Sequence, residues 1–255
     1  MKLKKSEDGR FYDVTELPSR GMPYGGLLPN GTIEIYAMTA QMQKQVALLA
    51  RRAPGEVVDK IIKSSLKTDI DSNILTSADR LYVLLFSRII SYPTSKRQFK
   101  VMNPHTGRQF DATVDLKELN ISYLDESWSE PKEVTLPMCG DRVTIRSLRG
   151  ADELEISSEV VARRARKKGK SDDDELGMIE ATARQVVSIN GNNKMERFDK
   201  EKWVSELLAG DIDFLNDEVT HLDGGVDFEI EVTDPSTGHT VPISLMSGEY
   251  SFLEV

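Results

Sequence analysis

One seven-residue pattern occurs twice in this chain, and it constrains the fold more than any other feature. Val101–Gly107 reads VMNPHTG and Val232–Gly238 reads VTDPSTG. Both fit Val-x-[Asn/Asp]-Pro-x-Thr-Gly. Each is followed by an alternating stretch, FDATVDL in the first case and HTVPISL in the second. Asn or Asp before Pro nucleates a turn by bonding the backbone two residues on. Pro fixes φ for the next position, and a closing Gly reaches the left-handed conformation that lets a strand return. Each pattern therefore predicts a β-hairpin with a loop of four or five residues. Two stable corners account for every residue in the pattern, so a chemical role needs further evidence.

The segments between and around the hairpins are mostly helical. Thr39 caps a first helix with Met42, Val46 and Leu49 on one face. Ala53-Pro54-Gly55 ends it and starts another, EVVDKIIKSSL. A third follows Thr76 and Ser77, where Leu81, Leu84, Leu85, Ile89 and Ile90 make it apolar nearly all round, the mark of a central buried helix. A looser strand pair, KEVTLP and RVTIRSL, comes after the first hairpin. Two helices follow, ADELEISSEVVARRARKK and ELGMIEATARQVVSI, joined by the charged loop KKGKSDDDE. Asp199 caps KEKWVSELLAG, and DIDFLNDEV adds a turn or two.

The expected fold class is α+β: a helical body with two hairpin ribbons that pair from distant parts of the chain. Residues 1–31, rich in Gly and Pro (LPSRGMPYGGLLPNG), suggest an extended N-terminal arm. Residues 32–125 hold helices and the first ribbon. Residues 126–255 hold the strand pair, further helices and the second ribbon, either as a separate unit or as one compact domain with the part before.

The totals narrow the function. The chain has 255 residues and a net charge of −9, which argues against nucleic acid as a partner, because phosphate binding needs basic surface. The basic run Arg163, Arg164, Arg166, Lys167, Lys168 and Lys170 is the local exception; it suits a helix C-terminus and carries no interleaved aromatics. The opening MKLKKSEDGRFYD lacks the apolar core of a secretory signal, and no stretch approaches the roughly 18 apolar residues of a membrane span. The single cysteine, Cys139, permits no internal disulfide, fits a reducing cytoplasm and suggests packing rather than catalysis. GKS at 169–171 lacks the first glycine of a phosphate loop, with Arg164 in its place. DIDSN at 69–73 fails as a calcium loop, with Ile74 and Arg80 where Gly and Glu are needed. No catalytic constellation emerges, so the chain is expected not to be an enzyme and to need no cofactor or small-molecule substrate.

Replacing Asn103, Thr106, Asp234 and Thr237 by cysteine would turn each pattern into Cys-Pro-x-Cys-Gly. Two such knuckles supply the four thiolates of a structural zinc ribbon. Asn, Asp and Thr oxygens can accept the same backbone N–H bonds without metal. His105 lies inside the first turn and His239 just after the second; with Asp234 they are the candidate metal ligands.

LPSRGMPY, SADRLYVLLFSRIISY, VTLPMCGDRVTIRSLRGADELE and VDFEIEVTDPSTGHTVPISL together give the chain its kinship. In this layout it resembles the T-even-type phage baseplate family, the hub subunits and hub-assembly proteins of contractile-tailed phages. The resemblance implies that the hairpins descend from a zinc ribbon whose cysteines are replaced here at all four positions. It also implies a non-enzymatic tail-morphogenesis protein acting by recognition of other baseplate or hub proteins, in the host cytoplasm during assembly or in the virion. Two alternatives stand beside that: an assembly chaperone absent from the mature virion, or a metal- or nucleic-acid-binding ribbon module. Tyr12, Tyr24, Tyr250 and Phe252 are the candidate partner anchors, since interfaces favour aromatics. The turn residues themselves are Asn103, Pro104, Thr106 and Gly107, with Asp234, Pro235, Thr237 and Gly238.

Overall fold

The computed structural model describes residues 3–49, 54–166 and 177–246. The segment expected as an extended arm is instead folded onto the body. β1 (Lys4–Lys5), β2 (Phe11–Glu16) and β3 (Thr32–Tyr36) form an antiparallel sheet, with Tyr12 opposite Tyr36 and Glu16 opposite Thr32. The stretch FYDVTE is rich in strand formers, and the adjoining Gly/Pro-rich run masks that signal. Leu17, Tyr24 and Leu28 in that run are buried.

α1 (Ala40–Leu49), α2 (Pro54–Ser65) and α3 (Ser77–Ser91) follow. α3 is the central buried helix the sequence predicts: Val83, Leu84 and Leu85 are at most 1% exposed. Side chains of this kind contribute about 1.5–3 kcal/mol each on burial. The same core takes in β3, the hairpin β4 (Lys96–Met102) with β5 (Gln109–Asp115), and the hairpin β11 (Glu229–Thr233) with β12 (Thr240–Ser244). Phe99, Val101, Val232, Val241 and Ile243 enter this core from the two hairpins.

A second core lies between. β7 (Lys132–Thr135), β8 (Arg142–Ile145) and β9 (Val186–Ile189) form an antiparallel sheet. It packs with α7 (Ala209–Asp223) through Val134, Val143, Ile145, Val186, Leu215 and Val219. α6 (Arg197–Glu206) brings Trp203 to it, while α5 (Met178–Gln185) lies against α6 and α4 (Gly150–Arg166) against α2 and α5. The stretch expected as one helix to Ile189 turns into β9 at Val186, because VVSI is β-branched and finds an open edge beside β8. DIDFLNDEV, expected to add a turn or two, lies within the 15-residue α7. The helix expected to follow an Asp199 cap begins at Arg197, with Glu196 at the cap position. The chain leaves the first core through β6 (Ile121–Ser122) and returns through β10 (Gly225–Val226), and these two short strands pair antiparallel. The second ribbon therefore rejoins the first core rather than the half of the sequence that precedes it.

The N-terminus of α3 is a buried polar centre. Thr76 caps the helix, its Oγ1 accepting from the Asp79 N–H at 3.2 Å. In an ordinary capping box the carboxylate would return to the Thr76 N–H. Here Tyr24 Oη accepts from that N–H at 3.1 Å, and Asp79 turns to take bonds from the Tyr24 and Ser19 hydroxyls and, at 3.1 Å, from the Ser19 N–H. Burial pushes the Asp79 carboxyl above its ordinary range, and the Ser19 and Tyr24 donors work against that push. The next residue, Arg80, is 2% exposed. Its Nε meets Glu153 at 2.8 Å, one terminal nitrogen donates to the Ser72 carbonyl at 2.8 Å, and the other lies 3.5 Å from Asp59. α2, α3 and α4 thus share one guanidinium. Gly150 opens α4 against it: a Cβ there would sit 2.4 Å from the guanidinium and 2.6 Å from the Ser72 carbonyl.

Two outcomes are expected. Tyr24→Phe leaves the Thr76 N–H without its acceptor and Asp79 one donor short, and should lower stability by about 1–3 kcal/mol in urea unfolding. Gly150→Ala forces Arg80 aside and should cost about 1–3 kcal/mol by the same measurement, whereas Gly177→Ala, where a Cβ meets nothing within 4 Å, should be nearly silent.

Candidate interaction site: the paired hairpin turns

The two turns have the same internal wiring. In the first, the Asn103 carbonyl accepts from the Gly107 N–H at 2.9 Å, and the Asn103 N–H donates to the Arg108 carbonyl at 2.9 Å. In the second, the Asp234 carbonyl accepts from the Gly238 N–H at 2.8 Å, and the Asp234 N–H donates to the His239 carbonyl at 2.8 Å. The side-chain oxygens of Asn103 and Asp234 each accept from the N–H two residues on, His105 and Ser236, both at 2.9 Å. Thr106 and Thr237 hydroxyls repeat this for Arg108 and His239 at 3.3 and 3.4 Å. Gly107 and Gly238 have φ of 65° and 74°, the conformation that closes each loop. Each loop has four residues inside the closing bond, as the pattern predicts.

The turns meet. Asn103 Nδ2 donates to Asp234 Oδ2 at 2.7 Å and to Thr237 Oγ1 at 3.2 Å. Asn103 is fully buried and Asp234 is 2% exposed. This contact explains why the pattern carries Asn in one copy and Asp in the other. An amide supplies the donor that a carboxylate accepts; two ionised carboxylates have no proton to donate and would repel. Hydrogen bonds from the Ser236 hydroxyl and from Asn103 hold the Asp234 carboxyl far below the ordinary carboxylate range. Pro104, Thr106, Gly107, Pro235, Thr237 and Gly238 line the exposed outer rim of the two loops.

His105 and His239 are also brought together, with ring centroids 4.7 Å apart and planes tilted by 49°. Both are exposed. Asp234 does not join them as a ligand set. Its Oδ2 is occupied by Asn103, and its Oδ1 by the Ser236 N–H and hydroxyl. Among the described residues no group of three or more His, Cys, Asp or Glu is arranged to hold a metal ion.

The other candidates separate. Tyr12 is half-buried, edge-on to Tyr36 at 6.3 Å with the Lys67 ammonium 4.3 Å from its ring centre. Tyr24 is 4% exposed and bonded to Asp79, so it is core rather than a surface anchor. Tyr250 and Phe252 lie outside the described residues, as do Lys167, Lys168 and Lys170 of the basic run. Cys139, expected to pack, is exposed in the β7–β8 turn. Desolvation and the nearby Asp141 and Asp211 carboxylates raise its thiol above the ordinary value, the reverse of an activated nucleophile. Sequence reasoning missed the Asp79–Arg80 centre. The Thr76-x-x-Asp79 spacing carries part of that signal; the partners Ser19 and Tyr24 were hidden in the Gly/Pro-rich run.

The fold and this site define an α+β body in which two remote hairpins are fastened by a side-chain clasp, a centre that holds architecture together. A family model described as T4 bacteriophage base plate protein matches residues 11–254, and the chain belongs to that family. No curated protein and no solved structure gives a significant match. No helix among the described residues is long and apolar enough to cross a membrane.

The clasp makes a signed pH prediction. With its carboxyl held low, Asp234 contributes stability that is fully present above the ordinary carboxylate value of about 4 and is lost progressively as pH falls below that value toward the lowered one. Asn103→Asp sets two carboxylates face to face, raising the proton affinity of one. The variant should melt several degrees below the parent at pH 7 and close that gap as pH falls toward 5. Melting curves at a series of pH values check both slopes.

Proposed function

We propose that this baseplate-family chain is a non-enzymatic tail-morphogenesis protein, a component of the baseplate hub or a factor that assembles it, acting by recognition of other baseplate proteins. The family match across nearly the whole chain is the observation that carries the reading. The site geometry supports it. The polar groups at the paired turns are spent on each other, and the one thiol is made less reactive by its surroundings. The replaced-cysteine reading of the turns fits as well. Asn103, Thr106, Asp234 and Thr237 accept the backbone N–H bonds that thiolates take in a knuckle, and the amide-to-carboxylate bond fastens the two loops in place of a shared ion. In this reading Tyr12 and the C-terminal Tyr250 and Phe252 are anchors for partners.

The test is a quantitative protein inventory of purified virions of the parent phage by mass spectrometry. A hub component appears at a small fixed copy number matching the three- or six-fold symmetry of a tail. An assembly factor is present in infected-cell lysate and missing from virions. A chain missing from both tail assemblies and virions, with tails built normally in its absence, would overturn the proposal.

A further inference from the structure

The two hairpins are clasped at their turns but are not joined along their length. β4–β5 and β11–β12 are separate two-stranded sheets. Between β5 and β11 runs a groove of about 530 Å³. Its apolar lining is Ala112, Val114, Leu119, Ile230 and Val232, and Pro235 lines it from the second turn.

The register of each hairpin fixes which backbone groups face this groove. Bonds from the Asn103 N–H to the Arg108 carbonyl and from the Leu116 N–H to the Ser95 carbonyl set the parity of the first ladder. Phe110, Ala112 and Val114 therefore bond to β4, and the N–H and C=O of Asp111 and Thr113 point away from it. Bonds from the Asp234 N–H to the His239 carbonyl and from the Leu245 N–H to the Phe228 carbonyl do the same for the second. The outward groups there belong to Glu231 and Thr233. Among the described residues no other strand pairs with either edge.

The four hairpin edges are not alike. The outer edge of β4 carries Lys96 and Lys100 at its outward positions, and that of β12 carries Pro242, which has no N–H to offer. Lysine and proline are the usual guards against strand addition. The β5 and β11 edges have neither. They carry carboxylates instead: Asp111, Asp115, Glu118 and Glu231 line the groove. None of the four is in an ion pair within 4 Å among the described residues, and no cation lines the groove, although Lys100 and Lys96 stand opposite Asp111 and Asp115 across the ladder; Glu118 and Glu231 carry the charge that no lysine faces. Such a rim repels a second copy of the same edge. It also repels residues 247–255 of this chain, SGEYSFLEV, which hold two glutamates and no basic residue.

We infer that the groove between β5 and β11 receives an extended, lysine- or arginine-bearing segment of a partner protein, which adds as a strand to these free edges. Backbone bonds to Asp111, Thr113, Glu231 and Thr233 supply the pairing. Alternate side chains of the guest meet the apolar lining and the carboxylate rim, the division of labour that strand addition uses elsewhere. This deepens the recognition role proposed above and rests on it. The virion inventory tests that role separately, so a failure here leaves the inventory result standing.

The probe is a labelled ten-residue peptide alternating Lys with Val, compared with the same peptide carrying Glu for Lys. Binding to the full chain is followed by fluorescence anisotropy, and the bound amides by hydrogen exchange. The expected result is binding of the lysine peptide only, weakening with salt, with new protection at Thr113 and Glu231. Asp111→Lys with Glu231→Lys should weaken binding about tenfold or more. Thr113→Pro should do likewise, because it removes an outward donor without touching the β4 ladder. No binding of the lysine peptide at about 1 mM, equal binding of both peptides, or affinity unchanged in the charge-reversed variant would each overturn the proposal. So would a dimer in sedimentation equilibrium that Asp111→Lys dissolves, since that would give the groove to a second copy.

Discussion

One amide, the side chain of Asn103, holds the ends of this architecture together. It reaches Asp234, 131 residues further along the chain, and also Thr237. Without it the buried Asp234 carboxylate would lose the donor that reaches it from the other hairpin, and a buried polar group short of a partner is costly. With it, two independent two-stranded ribbons become one object. Isolated hairpins are marginal in water. These two gain permanence by placing their apolar faces in the same core and by locking their turns to each other.

The polar centre at the head of α3 works by the same logic. Asp79 and Arg80 are adjacent in sequence and buried, and they face different neighbours. Asp79 gathers the N-terminal segment through Ser19 and Tyr24, and Arg80 gathers α2 and α4 through Asp59 and Glu153. A buried charge is costly unless it is matched in geometry as well as sign. The match here is specific enough to exclude a methyl group at Gly150. Such centres add little net stability over an apolar replacement, but they leave few alternative ways for the surrounding elements to pack.

Much of this was legible in the amino-acid sequence, and the exceptions have physical causes. The hairpins were legible because Pro and Gly at fixed offsets have few other uses. The central helix was legible because an all-round apolar pattern has one destination. The contact between the turns was implied only by the resemblance to a zinc ribbon, and the Asn/Asp difference between the copies makes sense only once the two side chains face each other. β2 was hidden by the loop composition next to it. β9 was hidden because Val-Val-Ser-Ile continues a helical stripe, and only the vacant edge of β8 decides otherwise. The groove between β5 and β11 has no local signature at all, since it is a distance between segments more than a hundred residues apart.

The crossing of β6 and β10 sets a clock on synthesis. The ribosome finishes the first hairpin, then makes the whole of the second core before the matching hairpin exists. At about 5–20 residues per second, Asn103 waits roughly 7–26 s for Asp234. During that interval one face of β4–β5, including Phe99 and Val101, has no second ribbon beside it. The lysines along β4 lie on the outer edge of that hairpin and discourage chance pairing while it waits. A chain that closes its first core last depends, in every round of synthesis, on a half-built ribbon staying soluble until its other half arrives.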